Sequence, residues 1–113
     1  MRVLLDHNLP HKLRTCLGGH DVVTASYMGW GELKNGELLK AVEEDGFDVF
    51  VTGDRSLIDE QNITSRRVAI VALSANNWPI IKSYIPRILS AIDNAIPGSF
   101  QEVECGVFDR RKT

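Results

Sequence analysis

The sequence predicts an α/β domain with a mainly parallel sheet covered by helices on both faces, a three-layer α/β/α arrangement. Three observations carry this prediction. The runs at Val3-Leu4-Leu5, residues 48–52 and residues 68–73 are short, apolar and rich in branched side chains, as strands buried on both faces are. Segments with helical spacing of apolar residues alternate with these runs. Polar residues or glycine stop each run abruptly, so strand ends are delivered toward a common rim.

The opening strand breaks at Asp6, and Asn8 and Pro10 then favour a helix start: Asn8 as a cap, Pro10 as a first-turn residue that needs no N–H partner. Leu9, Leu13, Cys16 and Leu17 give that first helix its apolar face, and Gly18-Gly19 ends it. Residues 21–25 form a second strand, and so short a strand–helix–strand unit requires the two strands to be parallel. Residues 26–34 show no period but hold Tyr27, Met28 and Trp30, and packing under the next helix is the expectation for them. Asn35 is placed to cap a second helix whose buried stripe is Leu38, Leu39, Ala41 and Val42, with Gly46 at its end.

The third strand, residues 48–52, runs into Gly53-Asp54-Arg55-Ser56, where Asp54 is placed to cap a short helix over residues 55–61. The fourth strand, residues 68–73, ends at Ser74. A helical region then opens at Pro79, with apolar positions Ile81, Tyr84, Ile85, Ile88, Leu89, Ile92 and Ile96. Pro86 lies inside it, and a proline there removes a hydrogen bond and clashes with the preceding turn, so a kink or two successive helices are expected. Alternation at Val103, Cys105 and Val107 marks a final edge strand. Residues 1–108 are read as one domain and residues 109–113 as a frayed tail.

Composition narrows the function classes. With 113 residues the chain holds one core. Its 43% hydrophobic and 25% charged residues are ordinary for a globular protein. A formal net charge of -2 supplies no global field for nucleic acid, so any such contact needs a local patch. Two cysteines, Cys16 and Cys105, make no disulfide framework, and a reducing cytoplasmic location is expected. No apolar stretch is long enough to span a bilayer.

Three carboxylates converge on the predicted rim. Asp6 and Asp54 end strands, and Glu37 begins the helix that feeds the third strand. Each has a local excuse: Asp54 as a cap, and Glu37 as a first-turn acid favoured by the helix dipole. Together, carboxylates without interleaved cations repel one another, and a divalent ion is the usual remedy. Mg²⁺ or Mn²⁺ held this way suits phosphodiester hydrolysis.

At these residues the chain resembles the PIN-like nuclease superfamily, in its small branch with a Leu-Leu-Asp-x-Asn-Leu-Pro opening. The matching segments are Leu4-Leu5-Asp6-His7-Asn8-Leu9-Pro10, Gly19-His20-Asp21-Val22-Val23, Asn35-Gly36-Glu37-Leu38-Leu39 and Val51-Thr52-Gly53-Asp54, over about the first two-thirds of the chain. The resemblance implies a single PIN-like domain and a metal-dependent ribonuclease, acting on single-stranded RNA as the toxin of a toxin–antitoxin pair. It implies that Asp6, Glu37 and Asp54 hold Mg²⁺ or Mn²⁺ and are catalytic, with Asn8, Arg55, Ser56 and Asn35 toward substrate. The branch often carries aspartate where this chain has Asn35 and Ser56, which leaves a leaner site here. An antitoxin protein and self-association, through Tyr27, Met28, Trp30 and Trp78, are the expected protein contacts.

A pure interaction module, with Tyr27, Met28, Trp30 and Trp78 as its surface, is one reading beside the nuclease. Two further alternatives stand with it. One is a PIN-like fold that has lost catalysis and serves as a binding or regulatory module. The other is a receiver-like phosphoacceptor domain, imitated by Asp6, Asp54 and Ser74 but lacking the acidic pair after the first strand and the lysine after the fifth. His7 beside Asp6 reads as a solvent-facing turn residue, and His11 and His20 have no ligand spacing with any cysteine. Arg55, Arg66 and Arg67 could meet phosphates near the rim, beside the plainer reading of solvated surface arginines.

Overall fold

A computed structural model of the chain describes residues 1–33, 35–53 and 67–105, and of Asn35 only the backbone. Among these residues five strands form one all-parallel sheet: β1 (Arg2–Leu5), β2 (Asp21–Thr24), β3 (Val49–Thr52), β4 (Ala69–Leu73) and β5 (Phe100–Val103). The spatial order is β2-β1-β3-β4-β5. The three α-helices among them are α1 (Asn35–Glu44), α2 (Trp78–Ile81) and α3 (Ile85–Asp93).

The period of two along each strand divides the core. Val3 and Leu5, Val49 and Val51, and Ala69, Val71 and Leu73 face one way, against Leu13 and Leu17 and against Ile81, Ile88 and Ile92. Leu4, Phe50 and Ile70 face the other way, against Leu38, Leu39 and Val42 of α1. Both faces of β1, β3 and β4 are therefore buried, which is why these runs are continuously apolar.

The first helix differs from expectation. It is a six-residue 3-10 helix, His11–Cys16, with Pro10 at its N-cap position and no side-chain cap. Pro10, at φ -64°, and Gly19, at φ 89°, bound the segment. Leu9, Leu13 and Leu17 are buried as expected, whereas Cys16 is only half-buried. Gly46 ends α1 at φ 83°. The expected break near Pro86 is real: a 3-10 turn (Lys82–Tyr84) separates α2 from α3, and each helix carries its proline in the first turn. Ile96, placed by its spacing on the buried stripe, lies beyond α3 and is 66% exposed.

The loop before α1 packs as expected. Met28, Trp30 and Leu33 lie against the Leu4–Phe50 cluster, and Trp30 meets Phe47 edge-on at 6.1 Å. Trp78 packs on the opposite cluster. Of the surface offered for self-association, Tyr27 is the residue left exposed, at 82%. No helix among the described residues is long and apolar enough to cross a membrane.

Cys105, just past β5, is buried and donates its thiol toward Val103 O at 3.6 Å. Burial pushes this thiol above its ordinary pKa, and hydrogen bonding from Ser74 offsets part of the rise. A raised pKa leaves less thiolate at pH 7–8, and the thiolate is the nucleophile. Iodoacetamide added to the native protein is therefore expected to alkylate Cys16 first and to reach Cys105 only on unfolding, as mass spectrometry of digests would resolve. Equal rates at the two sites would contradict this assignment.

Candidate active site at the carboxyl edge of the sheet

Asp6 stands where β1 leaves the sheet. Its backbone N–H still donates to Val51 O of β3 at 2.9 Å, and its carbonyl accepts from Leu9 N at 3.1 Å, so the chain turns sharply while anchored. The side chain is 4% exposed. A carboxylate so enclosed needs hydrogen bonds to offset lost hydration. Two are present: Oδ1 accepts from His7 N at 2.7 Å, and Oδ2 accepts from the Thr52 hydroxyl at 2.7 Å. The His7 ring, nearly half exposed, brings Nε2 to 3.7 Å from Oδ1. It faces solvent as expected and lies within reach of the carboxylate.

The position is a topological one. β2 lies on one side of β1 and β3 on the other, and β3 leads on to β4, so the connections leaving the carboxyl ends of the neighbours β1 and β3 diverge there. Ligands of open α/β sheets bind in the crevice this creates. The Asp6–Thr52 bond spans that crevice.

Asn8 does not cap the helix. Its Oδ1 accepts from Gly53 N at 3.2 Å, which ties the turn after β1 to the exit of β3. Gly53 is enclosed: a Cβ there would stand 3.0 Å from both Asn76 Cβ and Leu9 Cδ2 and 3.3 Å from Ala75 O. The exits of β1, β3 and β4 thus meet around Gly53. Asp54 follows it directly in the chain but, with Arg55 and Ser56, lies outside the described residues, as do the expected helix over residues 55–61 and the side chain of Asn35.

Glu37 lies in the first turn of α1, exposed. The other end of α1 is fixed at the amino edge of the sheet. There Arg2 Nη1 donates to Asp45 O, Nη2 lies 3.3 Å from Asp45 Oδ2, and the guanidinium stacks on Phe47 at 4.1 Å. Helix α1 therefore runs back from the carboxyl edge, and its first turn points Glu37's end of the helix toward the rim that Asp6 occupies. Among the described residues, no group of three or more His, Cys, Asp or Glu side chains is gathered to hold a metal ion.

Several expected contacts go elsewhere. The Ser74 hydroxyl, at the end of β4, accepts from Cys105 N at 2.6 Å and so fastens the exit of β5. Arg67 precedes β4, at the amino edge, and pairs with Glu43 of α1 at 3.7 Å, on the wrong edge to meet phosphate at the rim. Arg66 lies outside the described residues. His20 is joined to Asp93 at 2.7 Å and links the start of β2 to the end of α3. The residue that sequence reasoning passed over is Thr52, wholly buried. Its signal was a hydroxyl closing an otherwise apolar strand.

A second concavity, a cleft of about 670 Å³, lies along β2. It is lined by His11 and Arg14 of the 3-10 helix, by Val22, Val23 and Thr24 of β2, and by Ser26 and Tyr27 just after it. Comparison of the chain with family models, with curated proteins and with solved structures finds no match.

Proposed function

We propose that the chain is a three-layer PIN-like domain acting as a metal-dependent endoribonuclease on single-stranded RNA, with an antitoxin-type protein as its regulator. The observation that carries the reading is Asp6: a carboxylate enclosed at the switch point of a parallel sheet, oriented by Thr52 and by the backbone of His7.

The donor set fits Mg²⁺ or Mn²⁺, which take hard oxygen ligands and tolerate few protein ones. Each carboxylate oxygen of Asp6 accepts one hydrogen bond and keeps a second acceptor site. Asp6 and Asp54 would hold the ion, directly or through water, and Glu37 with either Asn8 or Ser56 would complete the shell. When bound, the ion acts as a Lewis acid that acidifies water and offsets phosphate charge. The chain's own residues do the rest. Thr52 and the His7 N–H hold the Asp6 carboxylate in one rotamer, so it presents the same lone pairs at each turnover. Asn8 fixes the exit of β3 through Gly53, the residue that Asp54 follows in the chain. Arg55, and Asn35 at the start of α1, would meet the RNA. The acidic net charge makes affinity weak and strongly salt-dependent.

The test is purified protein on a single-stranded RNA with Mn²⁺, with Mg²⁺ and with a chelator. Cleavage that requires the ion is the expected result. Absence of cleavage, together with no shift in thermal melting on adding Mn²⁺, would refute the nuclease and leave a binding module on this fold.

A further inference from the structure

We propose that the open edge of β2 is a docking strand for an extended acidic peptide segment of a partner protein. β2 ends the sheet, and among the described residues its outer edge pairs with no strand. In a parallel ladder, successive residues turn their backbone groups to opposite sides. Asp21 N and Ala25 N donate inward, to Met1 O and Leu5 O. Val22 and Thr24 therefore turn outward. The Thr24 carbonyl is taken by Met28 N, which leaves the Val22 N–H, the Val22 C=O and the Thr24 N–H presented along the edge. Such a row is a template for an added strand.

Sheet edges are ordinarily blunted by charge, proline or a bulge. The opposite edge strand, β5, carries Glu102 within it. β2 carries its charge only at the first position, Asp21, and offers half-buried Val22 and Val23. β2 also lines the 670 Å³ cleft. The other lining residues select the occupant. Arg14 and His11 stand exposed on one side, and none of the described lining residues is acidic. Backbone donors and acceptors at strand spacing call for a polypeptide, and the Arg14 guanidinium calls for a carboxylate on it. Tyr27 gives an exposed ring at the exit, where a branched apolar side chain can rest. A second copy fits less well, because two-fold pairing of β2 with β2 brings each copy's Arg14 and His11 to the same patch of the other. This site does not depend on the nuclease reading.

The probe is a fluorescein-labelled hexapeptide alternating glutamate and valine, followed by fluorescence polarisation with the full chain. Saturable binding is expected. Arg14→Glu and Val22→Pro should each weaken it about tenfold or more. Proline at position 22 deletes an outward donor and leaves the inward ladder intact, which an edge strand tolerates. Arg14→Glu changes only an exposed side chain, and so keeps the test decisive if Val22→Pro folds poorly. Methylating alternate peptide amides supplies a ligand-side control: one register should abolish binding and the other preserve it. Failure to bind, equal binding of a lysine–valine hexapeptide, or displacement by a uridine hexanucleotide would each overturn the proposal. So would a dimer in light scattering that Val22→Pro dissociates, since the edge would then be occupied by a second copy.

Discussion

Asp6→Asn is expected to reduce metal-dependent RNA cleavage by about a hundredfold or more, beyond the 10–100-fold that loss of a ligand's supporting partner typically costs. The substitution keeps the side chain's shape and removes its charge. It also replaces one acceptor oxygen by an NH₂ group, while the site supplies two donors, His7 N and the Thr52 hydroxyl. One of these must rotate away or lose its partner, at a cost of about 1–3 kcal/mol for a buried polar group. Activity and stability should therefore both fall, and Mn²⁺ should no longer raise the melting temperature. Thr52→Val separates the effects. It leaves the charge, removes the orienting hydroxyl, and should weaken Mn²⁺ affinity about 10–100-fold. Retention of full activity in Asp6→Asn would remove Asp6 from the mechanism.

The largest loss of stability is expected for Phe50→Ala. Phe50 is 2% exposed at the middle of β3, between Leu4 and Ile70 on its neighbouring strands and under Leu38 and Val42 of α1. Truncating a buried phenylalanine costs about 3–5 kcal/mol, because the surrounding strands relax only partly into the cavity. Against a usual total of about 5–15 kcal/mol that is a large share, and a fall in Tm of about 15 °C or more follows. Phe100→Ala on the edge strand β5, where the ring is 41% exposed, is the control and should cost under about 1 kcal/mol. Urea titration of both variants gives the comparison. Similar costs for the two would mean that Phe50 is not a core residue.

What could be read in the sequence was what local pattern determines. β1, β3 and β4 were legible because strands buried on both faces must be apolar throughout, and α1 because its stripe and Gly46 agree. The division of the C-terminal region into α2 and α3 was legible because proline acts through its own covalent geometry. What escaped was long-range. Asn8 carries the chemistry of a helix cap, but the N–H that reaches it belongs to Gly53, on another strand. Thr52 and Asp6 are far apart in the chain, and neither residue type announces the other. Arg2 resembles any surface arginine until Asp45 and Phe47 are brought to it. The 3-10 geometry of His11–Cys16 was missed because its apolar spacing suits an α-helix equally well. Of the candidate site, Asp6 was correctly placed at a strand end, while Asp54, Arg55 and Ser56 lie outside the described residues.

The all-parallel order also sets how the chain must assemble in time. Among the described residues no hairpin is available to seed this sheet, because every pairing there is parallel, and even the most local ladder joins Arg2 to Asp21. The ladder between β1 and β3 must bring Val3 to Val49 before either gains a neighbour there. Ordering that much chain before contacts reward it slows folding, and mixed α/β domains take an intermediate place between helical bundles and all-β folds. β1 precedes every strand it pairs with, yet it lies between two of them. During synthesis its apolar run emerges before the rest of the sheet and stays uncovered on that side until β3 has followed, which exposes residues 2–5 to kinetic competition from aggregation.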